Sequence, residues 1–571
     1  ERNMTEIKKH IADEILQCIK EGAPATDISA DDIVGMLEYP PDLSMGDIAL
    51  PCFKLSRVMR KAPNAIAGEL ADGISDENIA HVSADGGYLN FKLSGAFSES
   101  TVEKVLAAGE KYGSSETGKG KTVVLDYSSP NVAKPFHIGH LGTTVIGHSL
   151  KKIHEFSGYK CIGINYLGDW GTQFGKLITA YKMWGDDDTI NKGGIDALVA
   201  LYVKFHAEAE RDPALNDCAR AEFHKLEQGD AENTALWKRF IAISLEEYEK
   251  TYKQLGITFD SYKGESFYTD KMPEQVEKLR EMGLLKIDDG ASIVDLSEYN
   301  MPPCLILKRD GSTLYPTRDI AAAVYRKRTY NFDKAIYVTS AGQSLHFAQW
   351  FKVVELMGYD WYDELVHVPY GTVSINGEKL ATRTGNVILL KDLFREAIDK
   401  VADIIKEKNP DLEKRDETAE AVGVGAVIFY YLSNSRIKDI NFVMDDALSF
   451  EGNTGPYVQY TYARCCSVLD KAGAVPETPG EYLDETENEL AKQLSLFGEK
   501  VEQAMREYEP SVIARYILDV CAAFNRFYHE CRIVTEEDAR ARDSRVRLTA
   551  ATKQTLGNAF DLICLRKPEK I

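Results

Sequence analysis

An alternation of strand and helix patterns that begins near residue 122 constrains the fold of this chain more than any other feature. The apolar run Thr122–Leu125 is typical of a short strand, and a helical pattern with one apolar side follows it. A second strand pattern, Cys161–Tyr166, leads into another helical pattern. Strands that are joined through a helix usually lie parallel in one sheet. The order strand, helix, strand, helix therefore predicts an α/β fold with a parallel sheet.

The strand patterns stop after this unit and resume much later in the chain. Residues from about 176 to 255 are charged and helical in pattern, and strand patterns return at Ala335–Val338 and Val368–Ile375. We interpret the helical stretch as an insertion between two halves of one sheet. The core is then predicted to span residues 121–391.

The two ends of the chain have patterns that differ from the core. Residues 4–110 mix helical patterns with short strands such as Gly87–Phe91, which predicts an α+β domain, and the polar stretch Gly109–Lys121 is typical of a linker. From Asp392 onward we find no strand pattern, so residues 392–571 are predicted to form an all-α domain. A chain of 571 residues is too long for one hydrophobic core, which agrees with several domains.

Composition excludes several classes of protein. The formal charge of 68 − 89 = −21 argues against a surface that binds nucleic acid throughout, so any RNA site must be a local patch. No apolar run approaches the ~18 residues of a membrane-spanning helix, and the charged stretch 1–20 is unlike a signal sequence. Ten cysteines without a Cys-x-x-Cys pair indicate neither a zinc site nor a disulfide framework. We expect a soluble, cytoplasmic protein.

The segment Asp126–His140 lies where the first predicted strand gives way to a helix. The N-terminus of a helix offers unpaired backbone N–H groups and the positive end of the helix dipole, so it is suited to bind polyphosphate. Gly139 leaves room for a nucleotide base, and His137 and His140 can donate hydrogen bonds to phosphate oxygens. A His-x-x-His pair by itself more often caps or packs a helix, so the prediction depends on the surrounding sequence.

The surrounding residues carry a resemblance to a known family. His137–His140 reads His-Ile-Gly-His, the HIGH signature of class I aminoacyl-tRNA synthetases, and its context resembles arginyl-tRNA synthetases. Three further segments are similar to the same family: Asn165–Gly175, Thr317–Ala323 and Gly452–Tyr460. The resemblance covers nearly the whole chain. It implies a Rossmann-type catalytic core with a helical insertion, an N-terminal domain that contacts the tRNA elbow, and a C-terminal helical domain that binds the anticodon.

The activity that this resemblance implies is the ATP-dependent joining of L-arginine to the 3′ end of tRNA(Arg). Arginyl-adenylate forms first and the arginyl group is then transferred, so ATP, L-arginine and tRNA(Arg) are the expected partners. Mg²⁺ is expected to arrive with ATP, and no protein metal site is expected. By resemblance, the residues that bind ATP or act in catalysis by positioning and charge stabilisation are Lys134, His137, Gly139, His140 and Lys379.

The segment Lys379–Gly385 stands where class I enzymes carry a lysine-rich loop, KMSKS. Lys379 matches the first lysine, but Thr382 occupies the position of the second. In the family, a lysine that matches Lys134 is thought to supply the missing charge, and Arg383 is a further candidate for binding ATP. A compact cation beside the polyphosphate can neutralise developing charge from either side.

A selective arginine pocket has to match a planar guanidinium that is always charged, and carboxylates with amide or phenol oxygens do so. By resemblance the candidates are Asp126, Asn131, Tyr315, Asp319 and Gln349. Tyr315 and Asp319 are four residues apart, so they would share one face of a helix. Whether Asp126 contacts the α-amino group of the substrate directly or through water stays open. An isolated Arg318–Asp319 pair would more often be a structural ion pair.

Residues that resemble tRNA-contacting positions of the family lie at both ends of the chain. Asn90 matches the position that contacts the elbow, and four residues match positions of the anticodon-binding domain: Tyr457, Tyr460, Arg464 and Tyr528. Aromatic rings and guanidinium planes hold unstacked bases by stacking. Without the family, Tyr457 and Tyr460 would more often be core residues. Ile571 replaces the family's usual C-terminal methionine.

Two other functions remain open at this stage. A nucleotidyltransferase of the same HIGH superfamily that acts on a small molecule would suit the negative charge, although such proteins are usually short and lack the C-terminal helical domain. A non-enzymatic RNA-binding protein derived from a synthetase would be expected to lose its active-site residues, and these are present. We expect a monomer, and the insertion is too short and helical for an editing domain.

Overall fold

Helices dominate the computed structural model of this chain, which describes residues 3–376, 378–379 and 387–571. The strands of this part are β1 (Ile48–Pro51), β2 (Ile79–Asp85), β3 (Tyr88–Leu93), β4 (Thr122–Asp126), β5 (Lys160–Ile164), β6 (Leu285–Asp288), β7 (Ala291–Val294), β8 (Cys304–Leu307), β9 (Lys334–Ser340), β10 (Leu365–Tyr370), β11 (Val373–Ile375), β12 (Glu378–Lys379) and β13 (Ile440–Phe442). The α-helices are α1 (Asn3–Gly22), α2 (Ala30–Met36), α3 (Ser56–Met59), α4 (Pro63–Gly73), α5 (Gly95–Ala108), α6 (Leu141–Phe156), α7 (Thr172–Trp184), α8 (Asp187–Arg211), α9 (Ala214–Glu227), α10 (Ala231–Leu255), α11 (Met272–Glu281), α12 (Tyr315–Tyr330), α13 (Ser344–Leu356), α14 (Leu390–Lys408), α15 (Arg415–Leu432), α16 (Met444–Ala447), α17 (Gly455–Ala472), α18 (Glu485–Ser495), α19 (Phe497–Glu507), α20 (Ser511–Glu530) and α21 (Ala539–Asp561). Within the described ranges, no helix combines the length and the apolar character that crossing a membrane requires.

The N-terminal region is a three-stranded antiparallel sheet with helices packed on it. β3 lies between β1 and β2 and contains most of the predicted strand Gly87–Phe91. Helix α1 carries an apolar residue every three or four positions, and the large buried ones are Met4, Ile7, Ile11, Ile15 and Ile19. This spacing places them on one face, and the burial of that face holds α1 in the region. The predicted α+β character is confirmed.

The core is a parallel sheet of four strands in the order β10, β9, β4, β5. Three of the predicted strands are β4, β5 and β9, and the fourth prediction, Val368–Ile375, covers the end of β10 and continues into β11, which pairs in another sheet. The predicted parallel α/β core is confirmed. β4 leads through α6 to β5 on one side, whereas its other neighbour, β9, comes much later in the chain. The direction of winding therefore reverses between β4 and β9. At such a point a crevice opens at the carboxyl ends of the strands, where open α/β sheets bind ligands.

Helices α7 to α10 form the predicted insertion between the two halves of the sheet. They pack around an apolar cluster of their own, which includes Phe174, Leu177, Ile178, Leu198 and Phe240. Val132 and Ala133, from the segment that follows β4, belong to the same cluster. The insertion therefore supports the turn that follows β4.

Two groups of strands were not predicted. β6, β7 and β8 form a small antiparallel sheet in the stretch between the insertion and β9. β13 pairs in parallel with β11, with Ile440 opposite Val373, although no strand was expected beyond Asp392. A three-residue strand is too short to show a period of two, and its pairing depends on a distant partner. β13 ties the start of the helical region to the hairpin of β11 and β12.

The C-terminal region is helical, as predicted, and the N-terminal region packs against it. The Asp47 carboxylate lies 3.3 Å from the Lys492 ammonium, and both side chains are almost fully buried. The Arg547 guanidinium of α21 donates to Glu99 and Glu103 of α5 at 3.0 and 2.7 Å. Buried charges need a partner in place, so these pairs fix how the two surfaces meet.

Candidate active site

A cavity of about 670 Å³ opens in the crevice between β4 and β9. Asp126, the last residue of β4, and Val338–Ser340, the end of β9, line it. The first turns of two helices also reach it, because Thr143 of α6 and Tyr315 of α12 are lining residues. Its volume is in the range of pockets that enclose a small-molecule substrate.

The turn after β4 has an unusual backbone conformation. Ser128, Ser129 and Ala133 have φ angles of 69°, 47° and 60°, in the left-handed region that L-residues rarely adopt. Each such residue costs on the order of 1 kcal/mol or more, so its surroundings must hold it. The Ser129 hydroxyl donates to Asp126 at 2.9 Å and accepts from the Tyr166 N–H at 3.0 Å, and the Ala133 N–H donates to a hydroxyl of α10. Strained backbone that buried hydrogen bonds hold in place is found at functional sites.

The imidazoles of His137 and His140 lie side by side at the start of α6, with ring centroids 4.1 Å apart. The His137 Nδ1 accepts from the Gly139 N–H at 2.9 Å, and the His140 Nδ1 accepts from the His137 N–H at 3.1 Å. A ring nitrogen that accepts a hydrogen bond does not carry the proton, so each neutral ring carries it on Nε2. Both rings therefore offer an Nε2–H donor.

Burial makes these imidazoles poor bases. The pKa of His140 falls to about 3, because burial and the neighbouring His137 both disfavour its charge. Burial also lowers the pKa of His137. The two rings are thus neutral at neutral pH, and they can stabilise phosphate charge as hydrogen-bond donors but not as cations. His140 lines the cavity, and the His137 ring contacts the His140 ring at a tilt of 43°. Gly139, between them in the chain, is partly exposed.

Lys134 is a further predicted residue that lines the cavity. Its ammonium lies 4.8 Å from the centroid of the Tyr202 ring, and burial together with the nearby Lys176 lowers its pKa. An ammonium that rests on an aromatic ring keeps its charge available to an anionic ligand. Lys134 is therefore placed to meet a polyphosphate.

The segment that matches the lysine-rich loop of class I enzymes begins at Lys379, after β11. Lys379 belongs to β12, where its backbone pairs with Ser374. Arg383 lies outside the described residues. Because β11 also pairs with β13, the hairpin is anchored beside the start of the helical region.

The cavity has an acidic wall formed by three carboxylates, those of Asp126, Glu265 and Asp319. Tyr315 and Asp319 stand one turn apart on α12 and both line the cavity, as their spacing predicted. Asp319 Oδ2 lies 2.6 Å from His346 Nε2. Arg318 pairs with Glu265 at 3.1 Å rather than with its neighbour in the chain. An acidic wall of this kind favours a cationic ligand.

Glu265 was not predicted as a site residue. Burial raises its pKa to about 7, an effect that Arg318 opposes and that Asp319 and Asp169 increase. A carboxylate that is crowded by other acids gains stability when a cation arrives. No motif or spacing marks Glu265 in the sequence, because its neighbours in the site come from other parts of the chain.

Asp126 is held by two side chains of the protein. Its Oδ2 accepts from the Arg326 Nη1 at 2.9 Å, and its Oδ1 accepts from the Ser129 hydroxyl at 2.9 Å. Burial raises the pKa of Asp126, and Arg326 and Ser129 oppose this shift. Arg326 keeps its proton, so its guanidinium favours the charged form of Asp126. Asp126 therefore meets a ligand as a carboxylate that already has a guanidinium partner.

The two amide candidates differ in position. Asn131 lines the cavity, and its backbone carbonyl accepts from the Tyr248 hydroxyl at 2.6 Å. Gln349 is not among the residues that line the cavity. Its side-chain amide donates to the carbonyls of Pro302 and Pro303 at 2.9 and 3.3 Å, because α13 turns it toward the loop before β8. The structure thus does not bring Gln349 into the arginine pocket that the resemblance implied.

The predicted anticodon contacts come together in the helical region as a tyrosine–arginine cluster of Tyr457, Tyr460, Arg464 and Tyr528. The Arg464 guanidinium lies 4.5 Å from the ring centroid of Tyr528 and 5.3 Å from that of Tyr460. Asn525 joins the cluster, because it accepts from Arg464 at 2.8 Å and donates to the Tyr457 hydroxyl at 3.0 Å. Tyr460 and Tyr528 are 42% and 37% exposed, so their rings are accessible to a ligand.

Two further residues that were singled out in the sequence lie far from the cavity. The carbonyl of Ile571 accepts from Asn409 at 3.5 Å, and Ile571 lines a second cavity, of about 390 Å³, together with Tyr460. Asn90 of β3 is almost fully buried, and within the described residues its Oδ1 has no hydrogen-bond partner. It lines a small cavity of about 290 Å³ beside Lys92.

Comparison with known proteins places the chain in a family. Three family models match it in order: the arginyl tRNA synthetase N-terminal domain at residues 5–93, the class I (R) tRNA synthetase catalytic domain at residues 101–444, and the DALR anticodon binding domain at residues 458–571. The chain is 51% identical to an arginine–tRNA ligase of Clostridioides difficile (strain 630) over 562 residues, which is 98% of this chain and 99% of that protein. The chain belongs to the arginyl-tRNA synthetases.

Other arginyl-tRNA synthetases are similar over their whole length. The arginine–tRNA ligase of Halothermothrix orenii is 48% identical over 573 residues, with 100% of both chains covered. The solved structure of the Thermus thermophilus arginyl-tRNA synthetase superposes with a TM-score of 0.81 at 26% identity, covering 99% of this chain and 100% of that one. The catalytic model ends at residue 444, just beyond β13, so the strand that the sequence did not predict falls in the matched catalytic part.

Several lining residues of this arginyl-tRNA synthetase were missed by sequence reasoning, among them Tyr166, Glu265 and His346. A signal for His346 was present, because it lies one helical turn before Gln349, which was chosen from the same segment. Tyr166 ends the predicted second strand and could have been chosen from its position at the carboxyl edge of the sheet. Glu265 has no comparable signal.

Proposed function

We propose that this arginyl-tRNA synthetase is an arginine–tRNA ligase, which activates L-arginine with ATP and transfers the arginyl group to the 3′ end of tRNA(Arg). The observation that carries the proposal is a single cavity with two chemistries. Lys134 and His140 suit a polyphosphate, and Glu265 and Asp319 suit a guanidinium. The two substrates of adenylate formation can therefore meet in one space.

In the first step the carboxylate of arginine attacks the α-phosphorus of ATP, and pyrophosphate leaves. The Nε2–H groups of His137 and His140 donate to phosphate oxygens as negative charge grows on them. Lys134, Lys379 and Arg383 supply positive charge, and the N-terminus of α6, with Gly139 beside it, adds its backbone N–H groups. Mg²⁺ enters as part of the MgATP substrate.

The arginine side chain is proposed to lie against Asp319 and Glu265. A guanidinium presents donors on more than one edge, so two carboxylates and the Tyr315 hydroxyl can bind it together. An amino acid without a guanidinium could not supply the donors that face both carboxylates, which makes discrimination strong without an editing step. Asp126 and Asn131 are proposed to bind the other end of arginine, close to the turn that meets the phosphates.

The tRNA is proposed to contact both ends of the chain. The exposed rings of the tyrosine–arginine cluster supply stacking surfaces for unstacked anticodon bases, and Asn90 supplies a polar contact to the elbow. The domains are proposed to span residues 4–110, 121–391 and 392–571, with β13 as a strand that the third contributes to the second.

The cellular setting is also a proposal. Charging of tRNA requires tRNA, ATP and free arginine together, so we place the protein in the cytoplasm. We also propose that the protein acts as a monomer.

Pyrophosphate exchange and aminoacylation test the proposed function. Purified protein with tRNA(Arg) and MgATP should exchange pyrophosphate only when arginine is supplied, and lysine or citrulline should give at most background exchange. Exchange specific for another amino acid would end the proposal. A nucleotidyltransferase that acts on a small molecule would instead bind unmodified tRNA(Arg) no better than any acidic polymer, and salt would abolish that binding completely.

A further inference from the structure

Arg326 is a buried guanidinium that the proposed reaction does not use. It lies in the fourth turn of α12 and is 1% exposed. Its Nη1 donates to Asp126, whereas its Nε and Nη2 have no hydrogen-bond partner among the described residues. Burying a charge with unpaired donors is unfavourable for folding. A guanidinium that is buried in this unfavourable way is a candidate for a functional role.

The surroundings of Arg326 join it to the cavity. Its guanidinium carbon lies 5.1 Å from the ring centroid of Tyr166 and 5.9 Å from those of Tyr268 and Tyr337. Tyr166 and Tyr337 also line the cavity, as does Asp126. A single layer of residues therefore separates Arg326 from a bound substrate. Because the guanidinium is buried, water screens its charge little.

The three acids of the cavity differ in how firmly their partners are fixed. Arg318 beside Glu265 is 13% exposed and His346 beside Asp319 is 25% exposed, so both have room to shift when a ligand enters. Arg326 is enclosed by tyrosine rings and does not have that room. Asp126 thus keeps its guanidinium partner when substrate is present. Because Oδ2 already accepts from Arg326 and Oδ1 from Ser129, the two oxygens are not both free for the parallel N–H groups of a second guanidinium, whereas one N–H of an ammonium can still be accepted.

We propose that Arg326 is a positioning residue, which fixes the Asp126 carboxylate so that it receives the α-ammonium of arginine and not its guanidinium. This inference rests on the proposed function and deepens it. The reacting carboxylate of arginine is attached to the same carbon as the α-ammonium, and Asp126 lies beside the turn where phosphate is proposed to bind. Holding the ammonium there orients the carboxylate toward the α-phosphorus and leaves the side chain to Asp319 and Glu265.

The test compares arginine with 5-guanidinopentanoate, which has the same side chain and carboxylate but no α-amino group. Binding of each is measured by calorimetry on the full-length protein with tRNA(Arg). The wild-type protein should bind arginine roughly 10- to 100-fold more tightly, the range for one hydrogen bond to a charged group. In Arg326→Met this ratio should fall to within about threefold of unity, because the analogue does not use Asp126 and loses little.

Two variants separate positioning from a general loss of stability. Arg547→Met removes a guanidinium that is 3% exposed and paired with two glutamates at a distant interface, so it should keep the wild-type ratio. Arg326→Lys keeps the charge in a smaller group and should recover part of the ratio. If Arg326→Met does not fold, as judged by its melting curve, Arg326→Lys and Asp126→Asn carry the test, and both should lower the ratio.

Each outcome of these binding measurements supports or overturns the positioning role of Arg326. An unchanged ratio in Arg326→Lys or Arg326→Met, or an equal loss of both ligands, overturns the positioning role, because a merely structural residue would weaken the two ligands in parallel. Adding Arg326→Met to Asp126→Asn should lower the ratio no further, and an additional loss would contradict the proposal. A failure of the proposed function looks different, because the wild-type protein would then bind neither ligand.

Discussion

Arg326 in the catalytic core and Arg464 in the helical region both lie against tyrosine rings, at 5.1 Å from Tyr166 and 4.5 Å from Tyr528. Arg326 is enclosed and has a carboxylate partner, whereas Arg464 is partly exposed and donates to the amide of Asn525. A buried guanidinium must be paired inside the protein, while an exposed one keeps a face for a ligand. The same two residue types thus serve an internal electrostatic role in one region and an external stacking surface in the other.

The largest effect is expected in the acidic wall, where charge is buried. Asp319→Asn removes the carboxylate proposed to face the substrate guanidinium, and it should lower kcat/KM for arginine by about 10²- to 10³-fold, as for the loss of one partner of a buried charge pair. Arginine-dependent pyrophosphate exchange measures this. The KM for tRNA should stay within about twofold of wild type. A loss below about threefold would mean that Asp319 does not contact the guanidinium.

In the exposed cluster the effect should be smaller and should appear in tRNA binding. Tyr528→Ala removes one stacking surface, which contributes about 1 to 3 kcal/mol per base, so the KM for tRNA(Arg) should rise by roughly 5- to 150-fold. The KM for arginine should be unchanged. Tyr299→Ala is the matched control, since Tyr299 is also 37% exposed but lies outside the cluster. If the KM for tRNA(Arg) rose equally in both variants, the exposed cluster would not be the tRNA-binding surface that distinguishes this region from the catalytic core.

The pH dependence of arginine binding should report the acidic wall alone. The pKa of Glu265 is raised to about 7, and a cationic ligand favours its ionised form. Arginine affinity should therefore be constant above about pH 7 and fall as the pH drops below it, by up to about tenfold per unit. Titration calorimetry at several pH values measures this.

Two controls sharpen the pH experiment. Glu265→Gln should flatten the dependence, because the titrating group is gone. His140 does not contribute, since burial lowers its pKa to about 3 and it stays neutral over the same range. If arginine affinity of Glu265→Gln still fell with pH as in the wild-type protein, another group would be the one that titrates. The affinity for tRNA at the exposed cluster should not show this pH dependence.

The smallest effect is expected for a hydrogen bond inside the cluster. Tyr457→Phe removes the hydroxyl that accepts from Asn525, but Asn525 also donates to the Thr461 hydroxyl at 3.0 Å. The free energy of unfolding should fall by about 0.5 to 1.5 kcal/mol, and the KM for tRNA(Arg) should change by no more than a few-fold. Denaturant titration measures the stability change. A rise in KM as large as that of Tyr528→Ala would show that the Tyr457 hydroxyl itself contacts tRNA.

Much of the fold followed from local patterns. Three strands of the parallel sheet with the end of the fourth, the helical insertion and the helical C-terminal region were predicted, because the period of apolar residues reflects the geometry of each element by itself. β13 and the sheet of β6, β7 and β8 were missed. Short strands have no periodic signal, and their partners are chosen by contacts that no local window contains.

The residues of the candidate site likewise include some that the sequence predicted and some that it did not. Residues near one another in the chain, such as Lys134, His137 and His140, were predicted together, and the structure brings Asp319 and Tyr315 into the same cavity. The resemblance also included Gln349, which the structure turns toward the loop before β8. Glu265 and Arg326 were not predicted, because nothing local to either distinguishes it from a surface acid or base.

The sequence by itself determined which groups of this protein can bind phosphate, guanidinium and bases, since that depends on side-chain chemistry and on short spacings along a helix or turn. Only the tertiary structure decided which of these groups are neutral, which are paired and which remain open to a ligand. His140 loses its charge, Asp126 acquires Arg326 and Tyr528 stays exposed because burial and long-range neighbours set solvation, and solvation sets the free energy of every charged group.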